Sequence, residues 1–87
     1  MKKITMFIIS SCPFCMDAFR IMEALFKENP EYLALKIEKI DETIYPDVAK
    51  KYDYYYVPTF YVGDEKMHEG AASMKKIKRV FDAALER

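Results

Sequence analysis

Ile4-Thr5-Met6-Phe7-Ile8-Ile9-Ser10-Ser11-Cys12-Pro13-Phe14-Cys15 is the stretch on which the fold turns. The run from Ile4 to Ile9 is β-branched and aromatic-rich, which reads as a buried strand. Ser10, Ser11 and Cys12 then offer side-chain oxygens or sulfur as a helix cap, and Pro13 suits the first helical position, where its missing N–H is no loss. Lys2 and Lys3 before an apolar run also raise the reading of a secretory leader. The run is shorter than a usual leader core, no small-residue cleavage site follows, and the chain goes directly into Cys-Pro-Phe-Cys, so a strand is preferred.

Outward from this junction, Phe14, Ala18, Ile21, Met22, Leu25 and Phe26 recur at helical spacing until Asn29-Pro30 ends the run. Leu33, Leu35 and Ile37 alternate with Ala34, Lys36 and Glu38 as a second strand. A helical crossover between two strands implies a right-handed parallel βαβ unit. Asp41 to Tyr52 reads as a second helix, with Ile44, Val48 and Tyr52 on one side and Pro46 near its start. Thr59–Val62 and Lys66–Glu69 flank Gly63-Asp64-Glu65, the signature of an antiparallel hairpin closed by Gly70. Ser73 caps a last helix with the stripe Ile77, Val80, Phe81, Ala84 and Leu85. The expected order is β-α-β-α-β-β-α, an α/β fold with a central four-stranded mixed sheet flanked by three helices.

Composition bounds the rest. With 87 residues, 52% apolar and 15% Phe or Tyr, the chain carries material for one core, and a single domain spanning 1–87 is expected. Fourteen Lys and Arg balance fourteen Asp and Glu. That neutrality argues against nucleic-acid binding through phosphate contacts. No apolar stretch approaches a membrane span, so no membrane partner and a cytoplasmic location are expected.

Two cysteines are too few for a secreted disulfide framework, and their Cys-x-x-Cys spacing has two chemical readings. Zinc wants four ligands, whereas the chain has two cysteines and one histidine, so no metal site is assigned. The other reading is dithiol–disulfide exchange. A cysteine at a helix start lies near unpartnered N–H groups and the positive end of the helix dipole, which favour the thiolate. Thiol pKa values in such motifs fall to roughly 3.5–7.5. Cys12 is therefore the expected nucleophile and Cys15, one turn in, the resolving thiol. Asp17 is expected to face solvent, and His68 to be an outward hairpin residue rather than a base.

Together, Cys12-Pro13-Phe14-Cys15 after a strand, the order of elements, Val57-Pro58-Thr59 entering the third strand and Gly70 after the hairpin resemble the thioredoxin/glutaredoxin family over the whole length of the chain. The motif is close to the Cys-Pro-Tyr-Cys of dithiol glutaredoxins. The resemblance implies a thioredoxin fold and a dithiol–disulfide oxidoreductase that reduces protein or small-molecule disulfides. It implies that Pro13 and Phe14 position the thiols, and that Pro58 follows a cis peptide bond beside them. The backbone of Val57 would pair with an extended substrate, and Tyr56, Thr59, Gly70 and Ala71 would line the same surface.

Departures from the family bear on the electron donor. Ile9 replaces a basic residue that would meet a glutathione carboxylate, and Gly70-Ala71-Ala72-Ser73 replaces the Gly-Gly-acid of glutaredoxins. Met6 occupies the place of the buried acid of thioredoxins. No bound cofactor is expected, with glutathione, another low-molecular-weight thiol or a thioredoxin-type reductase as electron source. The partners expected are disulfide-containing proteins, and the chain is expected to be a monomer. Two other readings stand beside this one: a dimer carrying an iron–sulfur cluster through Cys12 and added thiols, and a non-catalytic binding module on the same fold. Tyr52, Tyr54, Tyr55 and Tyr56 form either an aromatic docking surface or packing under the sheet, with Tyr56 the best contact candidate.

Overall fold

A computed structural model describes residues 1–86. Its elements are β1 (Ile4–Ile8), α1 (Pro13–Glu28), a 3-10 turn (Pro30–Ala34), β2 (Ile37–Asp41), α2 (Pro46–Ala49), β3 (Thr59–Val62), β4 (Glu65–Glu69) and α3 (Met74–Leu85). The four strands form one sheet in the order β2-β1-β3-β4. β1 runs parallel to β2 and antiparallel to β3, and β3 pairs antiparallel with β4.

β1 is buried along its whole length because both faces of the sheet are covered. Ile4, Met6 and Ile8 point to one face, where they meet Phe60 and Val62 of β3 and the apolar stripes of α1 and α3. Phe7 points to the other face, into a smaller cluster with Ile40, Tyr61, Val48, Ala49, Tyr52 and Tyr54. On α1 the buried stripe is Cys15, Ala18, Met22 and Leu25. Phe14, expected on that stripe, is instead 54% exposed, because Cys15 occupies the inward position of the first turn.

Two expected elements fall elsewhere. The strand read over Leu33–Glu38 begins only at Ile37, which pairs with Ile4. Pro30 opens a 3-10 turn in which Tyr32 is the buried residue and Leu33 lies 67% exposed, so the Leu33/Leu35/Ile37 alternation does not belong to one strand. The helix read over Asp41–Tyr52 contracts to Pro46–Ala49. Asp41 ends β2 paired with Ile8, its carboxylate accepts the Thr43 N–H (2.9 Å), and Ile44 projects outward at 64% exposure. Only Val48 and Tyr52 of the expected stripe reach the core.

The hairpin turn is two residues long, since Val62 pairs with Glu65. Gly63 has φ 58°, the positive value that the first position of a type II′ turn requires. The pairing shifts between Phe60, opposite His68, and Tyr61, opposite Lys66, leaving Met67 as an extra residue. Ser73 caps α3 by accepting the Lys76 N–H at 3.2 Å.

Candidate active site

The registers bring the pieces to one end of the sheet. Ile8 lies beside Asp41, Phe7 beside Thr59, and Thr59 beside Glu69. The loop to Cys12 leaves β1 at this end, the Tyr56–Pro58 segment enters β3 here, and Gly70 follows β4 here.

Cys12 is the N-cap residue of α1, with extended backbone (φ −78°, ψ 124°) and Pro13 following. Its N–H donates to the Ile9 carbonyl at 2.9 Å, while its own carbonyl accepts from the N–H groups of Cys15 and Met16 at 3.1 Å each. No side chain caps the helix, contrary to the reading of Ser10, Ser11 and Cys12 as offering a capping oxygen or sulfur. Both cysteines are free thiols, Cys12 half-buried and Cys15 buried. Burial is the main reason the Cys15 thiol is pushed up to about 11; the backbone of Ile9 partly offsets this, while the adjacent Cys12 sulfur, with which it shares a hydrogen bond, and the Asp41 charge add to it. Asp17 is exposed and paired with Arg20, one turn along the helix.

On the next strand, the Val57–Pro58 peptide is cis. Pro58 and Thr59 are buried, and Val57 packs against the clusters on both faces of the sheet. The Pro58 carbonyl accepts from Gly70 N–H at 2.8 Å, and the Thr59 hydroxyl donates to the Tyr56 carbonyl. Among the described residues, neither the N–H nor the C=O of Val57 has a hydrogen-bond partner. Gly70 has φ 91°, which explains glycine at this position, since a Cβ there would meet only ordinary contact with Tyr56. Ala71 is exposed. His68 is half-buried on β4, with Nε2 3.0 Å from the carbonyls of both Gly70 and Ala71, two acceptors that suit the tautomer with its proton on that nitrogen.

The four tyrosines divide. Tyr52 and Tyr54 pack under the sheet against Phe7, with ring centroids at 4.7 and 4.8 Å. The Tyr54 hydroxyl donates to Glu42 at 2.8 Å, and burial raises its pKa. Tyr55 and Tyr56 are 85% and 70% exposed.

Two polar residues at this end were not singled out from sequence. Asp41 is buried; one oxygen accepts from the Thr43 N–H and hydroxyl, and the other from the Ser10 N–H at 3.1 Å, which anchors the loop to Cys12. These bonds, those from Thr43 foremost, lower its pKa. Read as the first residue of a helix, Asp41 hid its place at a strand end. Glu69 pairs with Lys66 at 2.8 Å and accepts the N–H groups of Tyr55 and Tyr56, which in that order draw its pKa down to about 2. Residues three apart in a regular strand face opposite sides; the bulge at Met67 puts Lys66 and Glu69 on one side. No signal in the sequence marks that bulge.

A mixed four-stranded sheet with the Cys-x-x-Cys pair at a strand-to-helix junction and three flanking helices is a thioredoxin-like fold. The solved solution structure of an uncharacterized thioredoxin-like protein from Clostridium perfringens is similar, with a TM-score of 0.69 and 24% identity over 97% of this chain and 71% of that one. No family model matches the chain, and no curated protein does. Among the described residues, no helix is long and apolar enough to cross a membrane, and no group of three or more His, Cys, Asp or Glu side chains is placed to hold a metal ion.

Proposed function

We propose that the protein is a dithiol–disulfide oxidoreductase of glutaredoxin-like type, with Cys12 as nucleophile and Cys15 as resolving thiol. The observation that carries this reading is the asymmetry of the pair: Cys12 is half-buried at an uncapped helix start, and Cys15 is buried behind it with its thiol pushed up to about 11. Exchange begins when the Cys12 thiolate attacks one sulfur of a substrate disulfide, forming a mixed disulfide and expelling the other sulfur as a thiolate that takes up a proton. Cys15 then gives up its proton and attacks Cys12 Sγ. The second substrate thiol leaves and the Cys12–Cys15 disulfide remains. Two electrons and two protons have passed to the substrate, and an external thiol or reductase restores the pair.

Pro13 holds the helix start, and Phe14 lies exposed between the two thiols in sequence. The unpartnered backbone of Val57 after the exposed Tyr56 offers strand-like pairing to an extended substrate, flanked by Pro58, Thr59, Gly70 and Ala71. Disulfide-containing proteins fit this surface as substrates, acting on a monomer that needs no bound cofactor. The electron source is a low-molecular-weight thiol or a thioredoxin-type reductase, separated by assaying turnover in parallel with glutathione plus glutathione reductase and with NADPH plus thioredoxin reductase. Replacing Cys12 with Ser abolishes reduction of a protein disulfide, and replacing Cys15 with Ser traps mixed disulfides on Cys12. Full turnover by the Cys12→Ser variant overturns the assignment.

A further inference from the structure

The segment from Asp53 to Val57 belongs to no helix or strand, yet polar groups of β3 and β4 tie its backbone down. The Tyr61 hydroxyl and the Lys66 ammonium both donate to the Asp53 carbonyl, at 2.8 and 3.2 Å. One oxygen of Glu69 accepts from Tyr55 N–H and, at 2.9 Å, from Tyr56 N–H, while its other oxygen faces Lys66. The Thr59 hydroxyl holds the Tyr56 carbonyl. The side chains of Tyr55 and Tyr56 contribute little to holding this segment, since both point into solvent. Of these ties, only the Glu69 carboxylate, aimed by Lys66, holds the N–H groups of Tyr55 and Tyr56 on the approach to Val57.

We infer that Glu69 is a positioning residue for substrate. Resting on the exchange reading above, this assigns to Glu69 the preorganisation of the Tyr55–Tyr56 backbone, and with it the open Val57 backbone, for an extended polypeptide that carries the disulfide. A substrate that pairs along the chain pays less ordering entropy when that backbone is already held, and charge-assisted bonds to two successive amides are the strong kind. A small disulfide, which needs only the Cys12 sulfur, does not draw on this support.

The test compares the wild type with Glu69→Gln, Glu69→Ala and Lys66→Met, using insulin as the polypeptide disulfide and 5,5′-dithiobis(2-nitrobenzoate) as the small one. For insulin, Glu69→Ala raises KM about tenfold while kcat stays within about twofold, because the two exposed bonds order the backbone without touching the substrate and their loss weighs about as much as one net hydrogen bond. Glu69→Gln, which keeps an acceptor oxygen, falls between, and Lys66→Met resembles it. The small disulfide shows no comparable rise. Amide exchange at Tyr55 and Tyr56 quickens in the same order as KM. Should the alanine variant fail to fold, the glutamine and Lys66 variants carry the comparison. An unchanged insulin KM, or a parallel fall in kcat on both substrates, overturns the inference while leaving the exchange reading standing. A wild type inactive on both disulfides overturns the exchange reading and this inference with it.

Discussion

Cys15 should resist alkylation far beyond what its place in a reactive motif suggests. Its thiol is pushed up to about 11 from an ordinary 9.0, with burial the leading cause. Two units mean that at neutral pH about one Cys15 in 10,000 is a thiolate, against about one in 100 for an ordinary thiol, a deficit of about a hundredfold. Cys12→Ser isolates Cys15 for measurement. It removes the neighbouring sulfur, a secondary cause, and leaves the burial, so the titration stays above 9.0. The assay is iodoacetamide modification followed by mass spectrometry from pH 6 to 11. The rate should climb about tenfold per pH unit up to and beyond pH 9, because only the thiolate reacts. The same proton limits resolution of the mixed disulfide, so complexes trapped on Cys12 in the wild type should live longer at acid pH. A Cys15 rate that levels off at or below pH 9 would show that burial does not govern this thiol.

Other consequences separate packing from recognition. Tyr54→Ala, which opens the cluster around Phe7, should lower stability by about 3 kcal/mol in urea denaturation, whereas Tyr56→Ala, at an exposed ring, should change it by less than about 0.5 kcal/mol and instead weaken binding of a protein disulfide. Equal destabilisation by both would contradict the division of the tyrosines. Phe81→Ala removes a fully buried ring that stacks on Phe26 at 5.6 Å and meets Tyr32 at 5.1 Å, and should cost about 3–5 kcal/mol. A loss under about 1 kcal/mol would show that the α1–α3 core is not packed as described. Glu69 is held down to about 2 from 4.5, so its contribution to stability is complete above pH 4.5 and is lost as pH falls toward 2. Glu69→Gln should therefore flatten the fall of Tm between those values, and an unchanged acid profile would contradict the ties to Lys66 and the two amides.

The elements with a strong local signature were legible in the residues alone. Pro13 marks the first turn of α1, and the β-branched, aromatic-rich run of β1, the Gly63 turn and the Ser73 cap all rest on local chemistry that tertiary contacts do not override. The strand expected over Leu33–Glu38 starts later because a short apolar alternation is also compatible with a 3-10 turn followed by a strand. Pairing of Ile37 with Ile4 decides between them, and that is a long-range fact. The second helix was overextended because Ile44 has the spacing of an inward residue but lies before Pro46, where the backbone turns under Asp41. At the site, the spacing of the two cysteines and Pro13 placed both thiols at the start of α1, and the family resemblance implied the cis Val57–Pro58 bond. Asp41 and Glu69 were not, since each acts on a backbone N–H remote in sequence, Ser10 for one and Tyr55 and Tyr56 for the other.

Dithiol exchange requires that Cys12 and Cys15 together pass two electrons to a disulfide. Its most direct test is to mix the fully reduced protein with a protein disulfide in the absence of any other thiol, quench with acid, and weigh the intact chain and its Cys12–Cys15 peptide. Exchange through both thiols gives loss of two hydrogens from that peptide, matched one to one by substrate disulfide reduced. Two intact thiols on the chain after prolonged incubation, with the substrate disulfide unchanged, would contradict it.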